Sequence, residues 1–534
     1  MVNAEADVCS CAGPRQGAVC GIRTSFPLRK AAVIFLLASL VAVSGCLGPR
    51  RFPLEPMNAA VAGADGVRER RYDTNGDRRA DVIEVLDASG RLRAIRYDRN
   101  FDGKFEREAP WPPPAESKPR HLLILLDSIP YDLAKQVFEE GRFAAFHRPT
   151  RVLAPFPVMT DPSMADFFGV GPVPGVEASY FDGNMLVAGA PNYMVGGNAP
   201  WMDCADFHLP LCDHGVSYLL PNAYFRQALA GVQAAFQRST SDSFVGYVVA
   251  TSGVGSKYGA EGHLRALREL AAFCQQMIAE SDGALHITLM SDHGHTCIRS
   301  PRISLGIPLR GMGYRVGLGA AGERDVVIPE WGLVSLAALY CRPELAPELA
   351  ADVVKIGHVE LAAYRKSPTE VVALSPDGRA VVEVRGDRYR YVQEAGDPLR
   401  LARAVSQLRA AGKLDADGFG DADAWFSATV DSEYPDPLRR LHRAFNDLFR
   451  NVPQVYVSLA DGVCHGSPDL SLFLDMAAVH GSLRPESSYG FAMSTIAELP
   501  PALPMAELRA AMNAAGIPAA CANHGQHGAV ARGR

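Results

Sequence analysis

The segment Ala284-Leu285-His286-Ile287-Thr288-Leu289-Met290-Ser291-Asp292-His293-Gly294-His295 is an apolar run that ends on a polar turn. Its apolar part has the length and make-up of a strand buried on both faces, as in a parallel sheet covered by helices. At its end a carboxylate and an imidazole stand side by side, and Gly294 permits a tight turn. Asp292 and His293 together suit one borderline cation such as Zn²⁺. The plain alternative is a polar turn with a surface histidine.

Three other segments carry the same signature. His121-Leu122-Leu123-Ile124-Leu125-Leu126 is a second buried run, and it ends in Asp127. A carboxylate at the C-terminal end of a central parallel strand sits where open α/β sheets place ligands, although an Asp there also serves as a helix N-cap. Pro155-Phe156-Pro157-Val158-Met159-Thr160-Asp161-Pro162-Ser163 fixes the backbone around one hydroxyl, Thr160. A loop-to-helix junction there gives Thr160 free N–H groups and a positive dipole end. Val479-His480-Gly481-Ser482-Leu483 precedes another apolar run, 489–493. Residues 265–280 place Leu267, Leu270, Ala271, Cys274 and Met277 at helical spacing, as in a crossover helix between sheet strands. The pattern, strand–loop–helix alternation from Arg120 onward, predicts an α/β fold with parallel strands.

The order strand–Asp127, Pro-x-x-Thr160-x-Pro, Asp292-His293-Gly, His480-Gly resembles the alkaline phosphatase-like superfamily, and within it the phosphodiesterase/nucleotide pyrophosphatase branch. The likeness spans about residues 119 to 500. It implies a doubly wound, mostly parallel α/β sheet flanked by helices, and a metal-dependent hydrolase of a small-molecule phosphoester. Thr160 is then the nucleophile, held with Asp127, Asp292 and His293 at one metal, with His480 at a second; the metal is Zn²⁺ or another divalent ion, one or two per chain. A metal-coordinated hydroxyl has a lowered pKa, and the cation neutralises charge on an anionic ester. The sulfatase branch is disfavoured, because its Cys/Ser-x-Pro/Ala-x-Arg motif is absent at Thr160.

One part of the family pattern is missing. The resemblance leads us to expect Asp and His where this chain has Ser252 and Ser256, and a serine hydroxyl is a poor Zn²⁺ ligand. Three outcomes remain open: a one-metal site with Lys257 or a similar cation supplying charge, substitution by Glu261 and His263, or a non-catalytic relative that keeps the fold for binding. His295 is a separate rescue, although an imidazole two residues past His293 ordinarily points away.

Outside these segments the sequence describes a large body behind a short leader. The 534 residues are 48% apolar and 21% charged, a globular balance, and the net charge of −6 argues against a nucleic-acid-binding surface. Residues 31–43 are apolar and follow Arg23, Arg29 and Lys30. As a helix they span about 20 Å, short of a ~30 Å hydrocarbon core, so residues 1–45 read as a signal peptide. Val43-Ser44-Gly45-Cys46 resembles a lipobox that acylates Cys46, implying a bacterial envelope lipoprotein held in the membrane on the periplasmic side. Residues 46–118 read as a tether around an Asp/Asn-rich hairpin. There Asp73, Asn75, Asp77, Asp81 and Glu84 have the spacing of a Ca²⁺ loop, or else mark plain turn chemistry. The remaining expectations are catalytic core over 119–357 and 451–505, an α+β cap over 358–450, and a C-terminal tail over 506–534. Cys204 and Cys212 are close enough in sequence for a disulfide.

Overall fold

The structure, a computed structural model, describes residues 52–58, 61–62 and 67–519. The leader with Cys46 and the terminal His524 and His527 lie outside the described residues.

Six strands form the central sheet: β1 (Arg120–Leu126), β2 (Thr150–Leu153), β3 (Ser243–Val248), β4 (Leu285–Ser291), β5 (Tyr489–Ser494) and β6 (Ala502–Pro504). Their spatial order is β3-β1-β4-β5-β2-β6, and only β5 runs against the rest. The two apolar runs are therefore neighbours, and Leu122 through Leu126 are all 0% exposed. Removing one such side chain, as in Ile124→Ala, leaves a cavity that costs about 2–5 kcal/mol. Flanking helices complete an α/β fold, with the long helix Ala250–Glu280 burying Leu267, Leu270, Ala271, Cys274 and Met277 as expected.

The sheet also buries a titratable group far from any site. His121 bonds the Thr288 hydroxyl at 2.8 Å, and burial, aided by His286, pushes its pKa down to about 3. Unfolded chains take up a proton below about pH 6.5 while the folded chain does not, so this residue's contribution is lost as pH falls from 6.5 toward 3. We expect His121→Gln to gain about 2 kcal/mol on the wild type between pH 7 and pH 5, read by denaturant unfolding at both values.

Two boundaries need correcting. The expected tether is a folded element: strands Val61–Ala62, Arg68–Tyr72, Val82–Leu86, Leu92–Tyr97 and Arg107–Pro110 form an antiparallel sheet. Its Tyr72, Leu86 and Ile95 join one apolar cluster with Leu267 and Leu270 of the long helix, so this element is part of the body. The expected Ca²⁺ ligands do not gather on one point. Asp73 accepts from the N–H groups of Gly76 and Arg78, and Asp81 from those of Thr74 and Asn75. Asn75 and Asp77 bond each other, and Glu84 is buried in its strand against Tyr72 and Gln275. Turn chemistry accounts for the pattern.

The segment 358–450 does form an α+β element, but its sheet extends beyond those limits. Leu336–Leu339 and Val455–Leu459, assigned to the core on sequence, are strands of the same seven-stranded antiparallel sheet. Residues 506–514, expected in the tail, belong to the helix Met505–Ala514, which buries Met505, Leu508 and Met512. The expected Cys204–Cys212 disulfide is not formed: Cys204 is disulfide-bonded, while Cys212 is a free, exposed thiol.

Candidate metal centre

Strand register builds the site. Leu126 of β1 pairs with Ser291 of β4, so the next residues, Asp127 and Asp292, leave the sheet side by side. Ser128 ties them together. It holds a left-handed φ of 62°, unusual for a residue with a side chain. In that conformation its N–H reaches Asp292 Oδ1 at 2.9 Å and its hydroxyl reaches Asp127 Oδ1 at 2.7 Å. Tyr247 of β3 donates to Asp127 Oδ2 at 2.6 Å.

His293 is turned by its own neighbours. Its Nδ1 lies 2.9 Å from the Gly294 carbonyl, which places the proton there and leaves the Nε2 lone pair free. A side chain at 294 would meet the Glu486 carbonyl at 2.3 Å, so only glycine makes this turn. Nε2 lies 3.3 Å from Asp292 Oδ2 and 3.4 Å from the Thr160 hydroxyl. Thr160 is the first residue of the helix Thr160–Phe168, where N–H groups lack intrahelical acceptors. The four sequence-predicted residues therefore meet.

Electrostatics point to a cation. Asp127, Asp292 and His293 are the group of three metal-ligating side chains found among the described residues, with one atom of each within 4.8 Å of the others. All three are buried. Burial first, then the neighbouring Asp127, pushes the Asp292 carboxyl well above its ordinary range. Its Oδ2 is buried and accepts no hydrogen bond. Burial holds the imidazole of His293 below its ordinary value, in the neutral form a metal needs. With ~2.0–2.1 Å bonds and tetrahedral angles, ligand atoms sit about 3.3–3.4 Å apart. His293 Nε2 stands at that spacing from both Asp292 Oδ2 and the threonine oxygen, so the residues present fit one divalent ion.

Around His480 no second group of three such carboxylate, imidazole or thiol side chains is found among the described residues. His480 stacks on His293 at 4.2 Å between ring centroids and donates from Nδ1 to Val158 O at 2.9 Å. Among the described residues no carboxylate hydrogen-bonds to it, although Asp127 is near enough to act on its charge. Ser252 bonds Tyr218 at 3.0 Å and Ser128 at 3.2 Å, so a hydroxyl network occupies the place of the expected carboxylate. Ser256 lines the adjoining pocket. The proposed substitutes fail individually: Glu261 is exposed, and Lys257 is turned outward to the Leu219 carbonyl. His263 is buried, but it pairs with His295 at 3.1 Å. A side chain at Gly255 would lie 2.0 Å from His263 and 2.7 Å from His295, so glycine admits that imidazole pair. His295 points inward, against the sequence expectation.

Sequence reasoning missed Tyr247, Tyr218 and Ser128, which no motif marks. Tyr247→Phe should weaken metal affinity about 10–100-fold by freeing Asp127, read by competition with a chromophoric chelator.

A cavity of about 330 Å³ opens onto Thr160, Asp127 and His480. Its wall comes from residues 176–178, 190–218 and 331–334, with Leu470 and Leu474; none comes from 358–450, so that element does not cap the site. In the wall, Asp161 accepts from Trp201 at 2.9 Å and Asn198 at 2.8 Å, and burial pushes its pKa up to about 6.

Fold and site together define an α/β protein with a buried Asp–Asp–His group that could hold a cation, beside a hydroxyl at a helix N-terminus. No protein-family model and no curated protein sequence matches the chain. Among solved structures it is similar to murine ectonucleotide pyrophosphatase/phosphodiesterase 5, with a TM-score of 0.39 and 10% identity over 75% of this chain and 96% of that one. The human counterpart gives 0.40 and 10% over 75% and 95%. Phosphonoacetate hydrolase from Sinorhizobium meliloti 1021, in complex with phosphonoformate, gives 0.38 and 12% over 77% and 97%.

Proposed function

We propose that this protein is a one-metal hydrolase of phosphodiesters with Thr160 as its nucleophile. The observation that carries the reading is the Thr160 oxygen 3.4 Å from His293 Nε2, beside the two buried aspartates. A divalent ion held by Asp127, Asp292 and His293, Zn²⁺ by its donor set, supplies charge neutralisation and a lowered hydroxyl pKa.

The chain's own residues do the rest. Thr160 presents its oxygen to the phosphorus, and the free N–H groups of its helix end receive charge on the phosphoryl oxygens. A bond from phosphorus to the Thr160 oxygen forms as the bond to the leaving alcohol breaks, and the alcohol departs with a proton. Water then cleaves the threonine ester, restoring the hydroxyl and releasing a phosphomonoester. His480, neutral because burial and His293 push its pKa down, lines the same cavity as Thr160 and offers it a hydrogen-bonding group.

With no carboxylate at Ser252 to hold a second ion, diesters should be turned over faster than monoesters. Purified protein is assayed on bis(p-nitrophenyl) phosphate and p-nitrophenyl phosphate, with and without chelator. Chelator-sensitive diester hydrolysis supports the reading; hydrolysis of neither ester would leave the binding alternative that Ser252 and Ser256 suggest. The lipobox-like Val43-Ser44-Gly45-Cys46 supports acylation of Cys46 and a place on the periplasmic side of a bacterial membrane, which mass spectrometry of the mature N-terminus tests.

A further inference from the structure

The cavity beside Thr160 has an unusual wall. It contains Tyr193, Trp201, Trp331 and three methionines, yet no lysine or arginine. The charged side chains it does hold are acidic. Asp161 lies next to Thr160, and Glu177 faces the cavity with one oxygen on the Gly332 N–H at 3.0 Å. Burial pushes the Glu177 carboxyl up to about 7.

A second phosphate group in this space would find no basic side chain to pair with it, only the acidic Asp161 and Glu177. A nucleotide polyphosphate is therefore a poor occupant. The mouth continues the apolar character outward. Met194 lines the cavity and is 49% exposed, and its neighbour Val195 is 79% exposed. Leu470 and Leu474 also line the cavity, while Leu472 and Phe473 between them are 78% and 77% exposed. Exposed apolar side chains are ordinary singly; here two exposed pairs lie in segments that also line one cavity, and they suit an apolar occupant.

We infer that the substrate is an amphiphilic phosphodiester, with its single anionic phosphate at Thr160 and an aliphatic group lying along the cavity and over Met194, Val195, Leu472 and Phe473. This rests on the hydrolase reading above and adds the chemical class of the alcohol. The same class would come from a membrane lipid or from a soluble detergent-like ester, and the apolar rim treats both alike until the substrate is presented in a bilayer.

Binding separates this inference from the hydrolase reading. Metal-loaded full-chain Thr160→Ala protein is titrated calorimetrically with dimethyl phosphate, dodecyl methyl phosphate below its micelle concentration, and ATP. The dodecyl ester should bind at least about tenfold tighter than dimethyl phosphate, and ATP no tighter than dimethyl phosphate. Leu472→Ser with Phe473→Ser, both on the surface, should shrink the dodecyl advantage toward one. Equal affinity for the short and long esters, tighter binding of ATP, or an unchanged advantage in the double variant would overturn the inference. Wild-type turnover of dimethyl and dodecyl methyl phosphate, measured in parallel, tests the hydrolase reading on its own. Turnover of dodecyl methyl phosphate presented in phosphatidylcholine vesicles, compared with the free ester, distinguishes the membrane source from the soluble one.

Discussion

Thr160→Ala should reduce diester hydrolysis by at least about 10³-fold while leaving the fold and the metal content unchanged. The hydroxyl is the single group at the helix start that faces both the cavity and His293 Nε2, and its removal leaves no replacement among the described residues within that reach. The side chain is half-buried and its loss opens little space, so stability should change by less than about 1 kcal/mol. Thr160→Ser keeps the oxygen and should retain measurable turnover. The pair of variants separates a chemical role from a packing role: packing would follow the lost methyl group, chemistry the lost hydroxyl. Steady-state rates with circular dichroism on both variants decide it.

Asp292→Asn should abolish metal-induced stabilisation without harming the metal-free protein. In the apo state Asp292 is a costly residue, a buried carboxyl beside Asp127 with one oxygen unpaired. Asparagine can still accept from the N–H groups of Ser128 and His293 through one oxygen, and it removes the buried like-charge contact. The apo variant should unfold no lower than wild type. An ion at a hundredfold excess over its Kd stabilises the wild type by about 2.7 kcal/mol, and the variant should show none of this. A purely structural aspartate would give the reverse result, a less stable apo protein with its metal response intact. Thermal unfolding with and without Zn²⁺ distinguishes them.

Much of this site could be read from the chain because strand ends are local. An apolar run that halts at a carboxylate says where Asp127 and Asp292 leave the sheet, and the Leu126–Ser291 register then sets them together. The N-terminal sheet was harder to see. Its strand Arg68–Tyr72 reads Arg-Glu-Arg-Arg-Tyr and lacks a period-two apolar face, so it looks like linker; its partner Val82–Leu86 buries every residue. The fate of Ser252 and Ser256 was legible only as a loss. What fills the gap, the Tyr218–Ser252–Ser128 hydroxyls and the His263–His295 pair, depends on distant elements and on a backbone break at Gly259, where φ is 60° inside the helix Ala250–Glu280. Lys257 failed as a substitute cation for a similar reason: the helix turns it to solvent and to the Leu219 carbonyl.

The account stands on a single cation site at the strand ends, complete without the residues this chain has replaced. Elemental analysis of protein loaded with Zn²⁺ and desalted, set against Asp292→Asn, measures this directly. One tightly held ion per wild-type chain and none in the variant is the predicted result; two ions per chain, or an ion count that Asp292→Asn leaves unchanged, would contradict it.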